Sequence, residues 1–525
     1  MRKINITKTI GAATLVSAMF CASCTGNFED LNTHPTDAYD DQMTEIEKVG
    51  SVFPAMTYLL NPQQENNSQM TEQMVGAQYG GYFTCTNKWN GTNFGTFNPQ
   101  LNWVDTPFKD LFTDFYPNFL KVKDQTGGKG LIYAWASIIR VGVMLRVADT
   151  YGPIPYSKMG QGEFAVAYDD VKSLYHQMMD DLTSAVEVLA GATGSSDAYK
   201  EYDMMYQGDF SKWVKYANSL KLRMAVRIAK VDTDYAKQKM EEAIKGGVIE
   251  SNGDNALLST TNNPFRKAAQ EWGDLTVNAS IASYMKAYND PRISKYMTQS
   301  KQGYCGARMG VNKDSYKAEY GQAGKYGSDA NYSKPAFEQN SPMPVFYAAE
   351  TYFLMAEAAL EGWIAGGEAA AKNFYEQGIK TSMEQYGVSI GDYLSSTDKP
   401  KGHADAVHSA DNYSLSKEAA CVAWDDGSNK LQKIITQKWI ANYPIGFEAW
   451  NDFRRTGYPE MIPPKDNLSS DGYIGLIDNK RMVRRLPYPS SEKDSNSANV
   501  EAAISTMLGG PDKGSTDLWW AKKDE

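Results

Sequence analysis

The strongest constraint on the fold is helical periodicity. In Trp213 to Ala229, the apolar positions Trp213, Ala217, Leu220, Met224 and Ile228 recur at spacings of 4, 3, 4 and 4. That spacing sets one apolar stripe along one side of a helix, which must be buried against another element. From Asp169 to Leu189, residues Val171, Leu174, Met178, Leu182, Ala185 and Leu189 follow at 3, 4, 4, 3 and 4, with Asp169 or Asp170 as the cap. Tyr347 to Ala359 and Glu368 to Tyr386 form a further pair across the Gly-rich turn 362–367, and Ala348, Ala349, Ala356, Ala358 and Ala359 permit close approach. Leu431 to Trp450 reads as helix interrupted at Pro444 and Gly446. A helix, a short turn and an Ala-rich second helix are the build of tetratricopeptide hairpins, but the strict repeat signature is missing. The expected fold is all-α, made of irregular tetratricopeptide-like helical hairpins.

Between these helices the periodicity fades. Asn61 to Phe119, Glu250 to Arg266, Ser300 to Ser341, Asp392 to Asp411 and Pro463 to Asp478 read as long loops. Several are rich in aromatics, which disordered linkers lack, so they are expected to be ordered and to carry recognition. No composition break marks a boundary, and residues 24–525 are read as one interleaved domain.

The first 23 residues have a different character. Arg2, Lys3 and Lys8 precede an apolar stretch from Ile10 to Phe20, followed by Ala22, Ser23 and Cys24. The stretch is about half of the roughly 20 residues a spanning helix needs, so 1–23 is read as an export signal. Small residues before Cys24 match the cut site ahead of a lipidated cysteine, although Cys21 stands where an aliphatic residue is usual. Acyl chains, palmitate among them, add about 0.8 kcal/mol per buried CH₂ and would hold a soluble domain at a bilayer. No other apolar run is read as reaching spanning length. Removing 1–23 lowers the formal charge from −10 to −13, which argues against a nucleic-acid partner. Beyond Cys21 and Cys24 the cysteines are Cys85, Cys305 and Cys421, too few for a disulfide framework. The histidines His34, His176, His403 and His408 are scattered singly, so no His-ligated metal or other cofactor is expected.

Catalytic signatures are absent: no G-x-S-x-G elbow, no H-E-x-x-H and no phosphate loop. Gly127-Gly128-Lys129-Gly130 is a plain loop, and Asp180-Asp181 reads as a solvated helix face. A glycosidase needs two carboxylates across a cleft, and no pair here singles itself out. Binding is better supported, because sugars are held by aromatic faces with amides and carboxylates at the ring edge. Thr84 to Asn98 (TCTNKWNGTNFGTFN) sets Trp89, Phe94 and Phe97 among asparagines, including Asn93, and Trp103 follows. Gln270 to Asp274 offers Trp272 for stacking and Asp274 for a hydroxyl. Gln302-Gly303-Tyr304, with Tyr316, Tyr320 and Tyr326, is the third group.

An ordered set of motifs resembles the SusD/RagB family of Bacteroidetes surface lipoproteins, its SusD-like group. These are Phe28 to Pro35 (FEDLNTHP), Arg146 to Tyr156 (RVADTYGPIPY), Ala217 to Ala229 and Asn289 to Arg292 (NDPR), then Glu350 to Ala359, Phe447 to Tyr458 (FEAWNDFRRTGY), Arg484 to Pro489 (RRLPYP) and Trp519-Trp520. Most of them read as fold support: Asp290-Pro291 as a helix start, Asp452 beside Arg454 and Arg455 as a buried ion pair under Trp450, Trp519 and Trp520 as core plugs. The resemblance implies a lipid-anchored protein exposed on the cell outer membrane that is not an enzyme. It would bind a nutrient and hand it to a TonB-dependent transporter of the SusC type, closing over the barrel as a hinged lid. It also implies that the region of Trp89 and Asn93 contributes to the outer ligand surface. Glycan (an oligosaccharide) is the expected ligand, with an oligopeptide as the alternative and a surface enzyme as the remote one.

Overall fold

The computed structural model describes residues 43–87, 89–192, 196–311, 330–416 and 418–522. Cys24, the signal segment, Tyr316, Tyr320 and Tyr326 lie outside them. The chain divides into Met1–Lys48 and Val49–Glu525, and the description below concerns the second unit.

Its longer α-helices are α1 (Thr106–Thr126), α2 (Gly130–Tyr151), α3 (Val171–Leu189), α4 (Phe210–Ile228), α5 (Thr233–Lys245), α6 (Ala279–Ala287), α7 (Ala348–Leu360), α8 (Gly367–Gln385), α9 (Lys430–Ala441), α10 (Gly446–Thr456) and α11 (Ser497–Thr506). Neighbours in sequence pack as hairpins: α1 on α2, α2 on α3, α3 on α4, α4 on α5 and α7 on α8, while α4 also meets α7. Among the described residues, besides shorter helical turns, there are three two-stranded antiparallel ladders: β1 (Phe83–Cys85) with β3 (Leu275–Val277), β2 (Ala256–Leu258) with β4 (Met343–Phe346), and β5 (Gly402–His403) with β6 (Tyr413–Ser414).

The helices form where the periodicity places them. Asp170 caps α3 by accepting from Ser173 N–H at 3.0 Å, and Asp209 caps α4 through Ser211 N–H at 3.0 Å, each satisfying an orphan donor of a first turn. The all-α expectation holds, but some assignments change. Asn61 to Phe119 is largely helical: Glu65 to Tyr79 runs as α-helix, π-helix (Gln69–Gly76) and α-helix, and α1 begins at Thr106. The π-helix escapes periodicity because its buried side chains include Gln69, Thr71, Glu72 and Gln73. Helix α2 is, by length and composition, able to cross a membrane, contrary to expectation, yet 78 % of its apolar window is buried. Its residues Trp135, Ile138 and Val141 have no exposed surface, and Trp135 stacks on Phe53 at 3.8 Å. Asp181 is half-buried and accepts from Tyr156 Oη at 2.6 Å, so it does more than solvate a helix face. Asp290 forks onto the buried Arg292 guanidinium at 2.9 and 2.6 Å, before a single helical turn, Ile293–Tyr296.

The sequence motifs meet in one buried ionic network. Arg223 of α4 donates in a fork to Glu350 of α7, at 2.8 and 2.7 Å. Arg227, one turn on, pairs with Asp149 of α2 and Glu448 of α10. Lys438 of α9 meets Asp452 at 2.9 Å, and Arg455 bridges Asp452 at 2.9 Å and Glu357 at 2.8 Å. All of these residues are buried, so each charge depends on its partners to offset lost hydration. Burial pushes the Asp452 carboxyl up, but Lys438 and Arg455 outweigh it and hold the group at about 2. Arg454 does not pair with Asp452: its guanidinium lies 3.6 Å over the Trp450 ring and 4.9 Å from that of Trp520. Trp520 is buried as expected of a core plug, whereas Trp519 is half-buried. The two proline motifs also interlock, with Arg485 Nε donating to Tyr151 O and Tyr488 Oη to Pro153 O, each at 2.9 Å.

Candidate functional site

The β1–β3 ladder pairs Phe83 with Val277 and Cys85 with Leu275, so the loop leaving β1 and the loop entering β3 start side by side. The first loop buries Phe94 and Phe97 and is held together by asparagine side chains. Asn87 is its node: its Oδ1 accepts from Trp89 N–H at 3.1 Å, its Nδ2 donates to Asp274 at 3.1 Å, and its carbonyl accepts from Asn93 Nδ2 at 2.6 Å. Asn93 Oδ1 accepts from Gly95 N–H at 2.7 Å, opening a 3₁₀ turn over Phe94–Thr96. Asn98 donates to the Gly91 carbonyl at 3.0 Å. Short amide side chains thereby replace the backbone pairs a strand would supply.

This frame presents two indoles. Trp89 and Trp103 are half-buried, in edge-to-face contact with ring centroids 5.0 Å apart at 89°, a favoured aromatic geometry. Trp89 has φ of +31°, a conformation that costs a bulky residue energy and that the Asn87 contact to its N–H helps to hold.

The second loop ends a π-helix, Lys267–Trp272, closed by Gly273 at φ +68°. Trp272 is half-buried, with Lys267 Nζ 5.5 Å from its ring. Asp274 is 7 % exposed and accepts from Gln69 Nε2 as well as Asn87 Nδ2, both at 3.1 Å. Its carbonyl takes the Thr86 N–H at 2.8 Å. Asp274 and Asn93, expected to meet ligand hydroxyls, are both hydrogen-bonded into this frame. Trp89, Trp103 and Trp272 remain the partly exposed rings on it.

Tyr304 belongs elsewhere. It lines a cavity of about 620 Å³ between α6 and residues 397–404, with Ser283, Lys286, Lys399, Lys401 and His403, and no residue of the tryptophan loops. Gln302 is occupied, donating to Asp405 at 3.1 Å and accepting from Ala406 N–H at 2.8 Å. Beside the cavity, Cys305, His403 and Asp405 bring a thiol, a ring nitrogen and a carboxylate oxygen within 4.8 Å of one another. Burial lowers the His403 pKa and pushes the Cys305 thiol up to about 12. Sequence reasoning missed this cluster, because a hundred residues separate its parts. A second, cationic cavity of about 190 Å³ is lined by Arg454, Lys480, Arg481, Arg484 and Lys522 with Tyr413, where Arg481 and Arg484 share Asp517 at 2.6 Å each. The Asp425 carboxylate faces Lys372 at 2.6 Å as an exposed ion pair, and that of Asp426 meets the buried Lys433 at 2.7 Å.

The sequence matches the SusD-like family, described as "Susd and RagB outer membrane lipoprotein", over residues 30–521. No curated protein matches the chain. A SusD-like protein from Bacteroides thetaiotaomicron superposes with a TM-score of 0.83 at 38 % identity, covering 91 % of this chain and 99 % of that one. A SusD homolog from Bacteroides uniformis gives 0.81 at 36 % over the same shares. A chitin-binding SusD homolog from Flavobacterium johnsoniae gives 0.82 at 34 %, again over 91 % and 99 %. The interlocked proline motifs, the buried ionic network and these matches lead to one conclusion: the chain belongs to the SusD-like family of outer-membrane lipoproteins.

Proposed function

We propose that this protein captures an oligosaccharide at the cell surface and passes it to a TonB-dependent transporter of the SusC type, as a binding protein and not an enzyme. The observation that carries the glycan reading is the Trp89–Trp103 pair, held edge to face at 5.0 Å on an asparagine-stapled loop. Indole faces stack on the C–H faces of sugars, and amides suit their hydroxyls. Trp272, on the loop joined to it through Asp274, is the second platform. The chitin-binding relative from Flavobacterium johnsoniae makes β-linked amino sugars the first ligands to try. Tyr304 is assigned to a separate subsite on its cavity. Cys24 is the proposed lipid anchor, residues 1–23 the proposed signal, and 24–525 the proposed single domain.

Calorimetry of the mature protein against chito-oligosaccharides, neutral plant-type oligosaccharides and mixed oligopeptides tests this reading. One oligosaccharide class should bind, and Trp89→Ala and Trp272→Ala should each weaken it by about five- to thirtyfold, the loss of a stacking contact worth ~1–2 kcal/mol. Binding of peptides alone, or unchanged affinity in both variants, would overturn the glycan site. Tagged protein purified from native outer membranes should bring a transporter barrel with it, and its consistent absence would count against the partner.

A further inference from the structure

We propose that Cys305, His403 and Asp405 form a three-ligand site for a borderline-soft divalent cation, zinc first, beside the cavity that Tyr304 lines. Sγ, a ring nitrogen and a carboxylate oxygen already lie within 4.8 Å of one another. Their residues are 5 %, 5 % and 3 % exposed. Zinc bonds of about 2.0–2.3 Å set ligand atoms about 3.5 Å apart, so loading draws the cluster inward by about 1 Å at most. The donor set decides the metal class: thiolate and imidazole select zinc over calcium or magnesium, which take oxygen.

The second observation is an orphan. His403 Nε2 is buried and has no hydrogen-bond partner among the described residues, although buried polar atoms are almost always paired. Nδ1 lies 3.5 Å from Ser283 Oγ, the outer contact that orients a ligating imidazole. Asp405 is prepared in the same way. Its Oδ1 takes Gln302 Nε2 and the N–H groups of Val407 and His408, at 3.1, 2.9 and 2.9 Å. Its Oδ2 accepts from Tyr332 Oη at 2.8 Å, which leaves a lone pair on that oxygen. Cys305 Sγ has a long contact of 3.7 Å to the Gly306 carbonyl, one that a metal bond easily replaces.

Binding forms a Zn–S bond and releases the thiol proton to solvent. Three protein ligands leave a fourth position, which a water molecule fills from the cavity lined by Lys286 and Lys401. The metal would staple the segment around Cys305 to the β5–β6 hairpin. The inference does not rest on the tryptophan-loop site, none of whose residues takes part.

The test uses mature wild-type protein, stripped with chelator and titrated with ZnCl₂ by calorimetry and with CoCl₂ by absorbance. One equivalent of zinc should bind, and cobalt should give a thiolate charge-transfer band. Cys305→Ser and His403→Ala should each weaken zinc binding by about 100-fold, while Cys421→Ser should leave it unchanged. Zinc should also raise the melting temperature of the wild type and not of Cys305→Ser. The cobalt spectrum needs no variant, so a misfolded mutant cannot hide the answer. Absence of saturable zinc binding, absence of the band, or an equal loss in Cys421→Ser would overturn the proposal.

Discussion

The Asn87 side-chain amide donates to the Asp274 carboxylate at 3.1 Å, and this contact joins the loop bearing Trp89 to the loop bearing Trp272. Each residue is also tied to its own surroundings: Asn87 to the Trp89 N–H, Asp274 to Gln69 of the π-helix. The Trp89 and Trp272 rings therefore sit on side-chain scaffolding that is anchored in the helical core, and their positions depend on the residues of that scaffolding. Preorganisation of this kind lowers the ordering cost of binding.

Asp274→Ala removes the acceptor for two amides, leaving both unpaired at a cost of about 1–3 kcal/mol. The near-UV circular dichroism of the coupled Trp89–Trp103 pair should change with it, and oligosaccharide affinity should fall. Asp274→Asn, which keeps a carbonyl oxygen, should lose less of each. A fall in affinity with an unaltered near-UV spectrum would mean that Asp274 contacts the ligand directly.

Arg227 stands between Asp149 and Glu448 with its guanidinium buried. Arg227→Ala would take from Asp149 its guanidinium partner and from Glu448 one of two, Arg223 remaining at 3.5 Å, an effect of about 3–5 kcal/mol for a broken buried pair. Urea unfolding should show a lower midpoint of that order. Exposed pairs such as Lys372–Asp425, with side chains 38 % and 73 % exposed, should contribute within ~1 kcal/mol. Equal effects at the two sites would refute the ranking.

The helices that sequence reasoning finds, α3, α4, α7 and α8, each offer an apolar stripe or an Ala-rich face to a neighbour. The π-helix over Gln69–Gly76 offers neither. Its buried Gln73 donates to the Pro264 carbonyl at 3.3 Å and its buried Glu72 forms an ion pair with Arg146, partners that no local pattern announces. The candidate site shows the same divide. Loop aromatics were visible as Trp89, Trp103 and Trp272, because an aromatic among asparagines and glycines stands out. That Asn93 and Asp274 turn inward depends on the β1–β3 pairing, which joins residues almost two hundred positions apart. Cys305 and His403 converge only through the tertiary fold.

Acid should unfold the protein in a defined window. Burial pushes the Asp452 carboxyl up, yet Lys438 and Arg455 hold it at about 2, below the ~3.9 of an unfolded aspartate. Its contribution is therefore complete above about pH 4 and is lost as pH falls toward 2, on the order of 1–3 kcal/mol. Asp149, pushed up by burial against the pull of Arg227, acts in the opposite direction. In Asp452→Asn the slope of stability against pH between 4 and 2 should flatten, whatever the absolute stability of the variant. An unchanged slope in urea titrations across that window would exclude Asp452 as its source.

Gly446 opens α10 where that helix crosses Gly76 and Ala77. A Cβ on Gly446 would lie 2.2 Å from the Ala77 nitrogen and 2.3 Å from its Cα. Helix propensity alone favours Gly446→Ala by up to about 1 kcal/mol. The clash is with backbone, which cannot swing aside as a side-chain tip can, and overpacking of this kind costs about 1–3 kcal/mol. Sterics should win, with a lowered denaturation midpoint and a shift of α10 that carries Trp450, Asp452 and Arg455 with it. Because Asp452 and Arg455 meet partners on α9 and α7, the loss in Gly446→Ala should be partly shared with that of Arg455→Ala. A double-mutant cycle measures the sharing: less-than-additive losses support a packing strain transmitted along α10, and strict additivity would confine the strain to the crossing point.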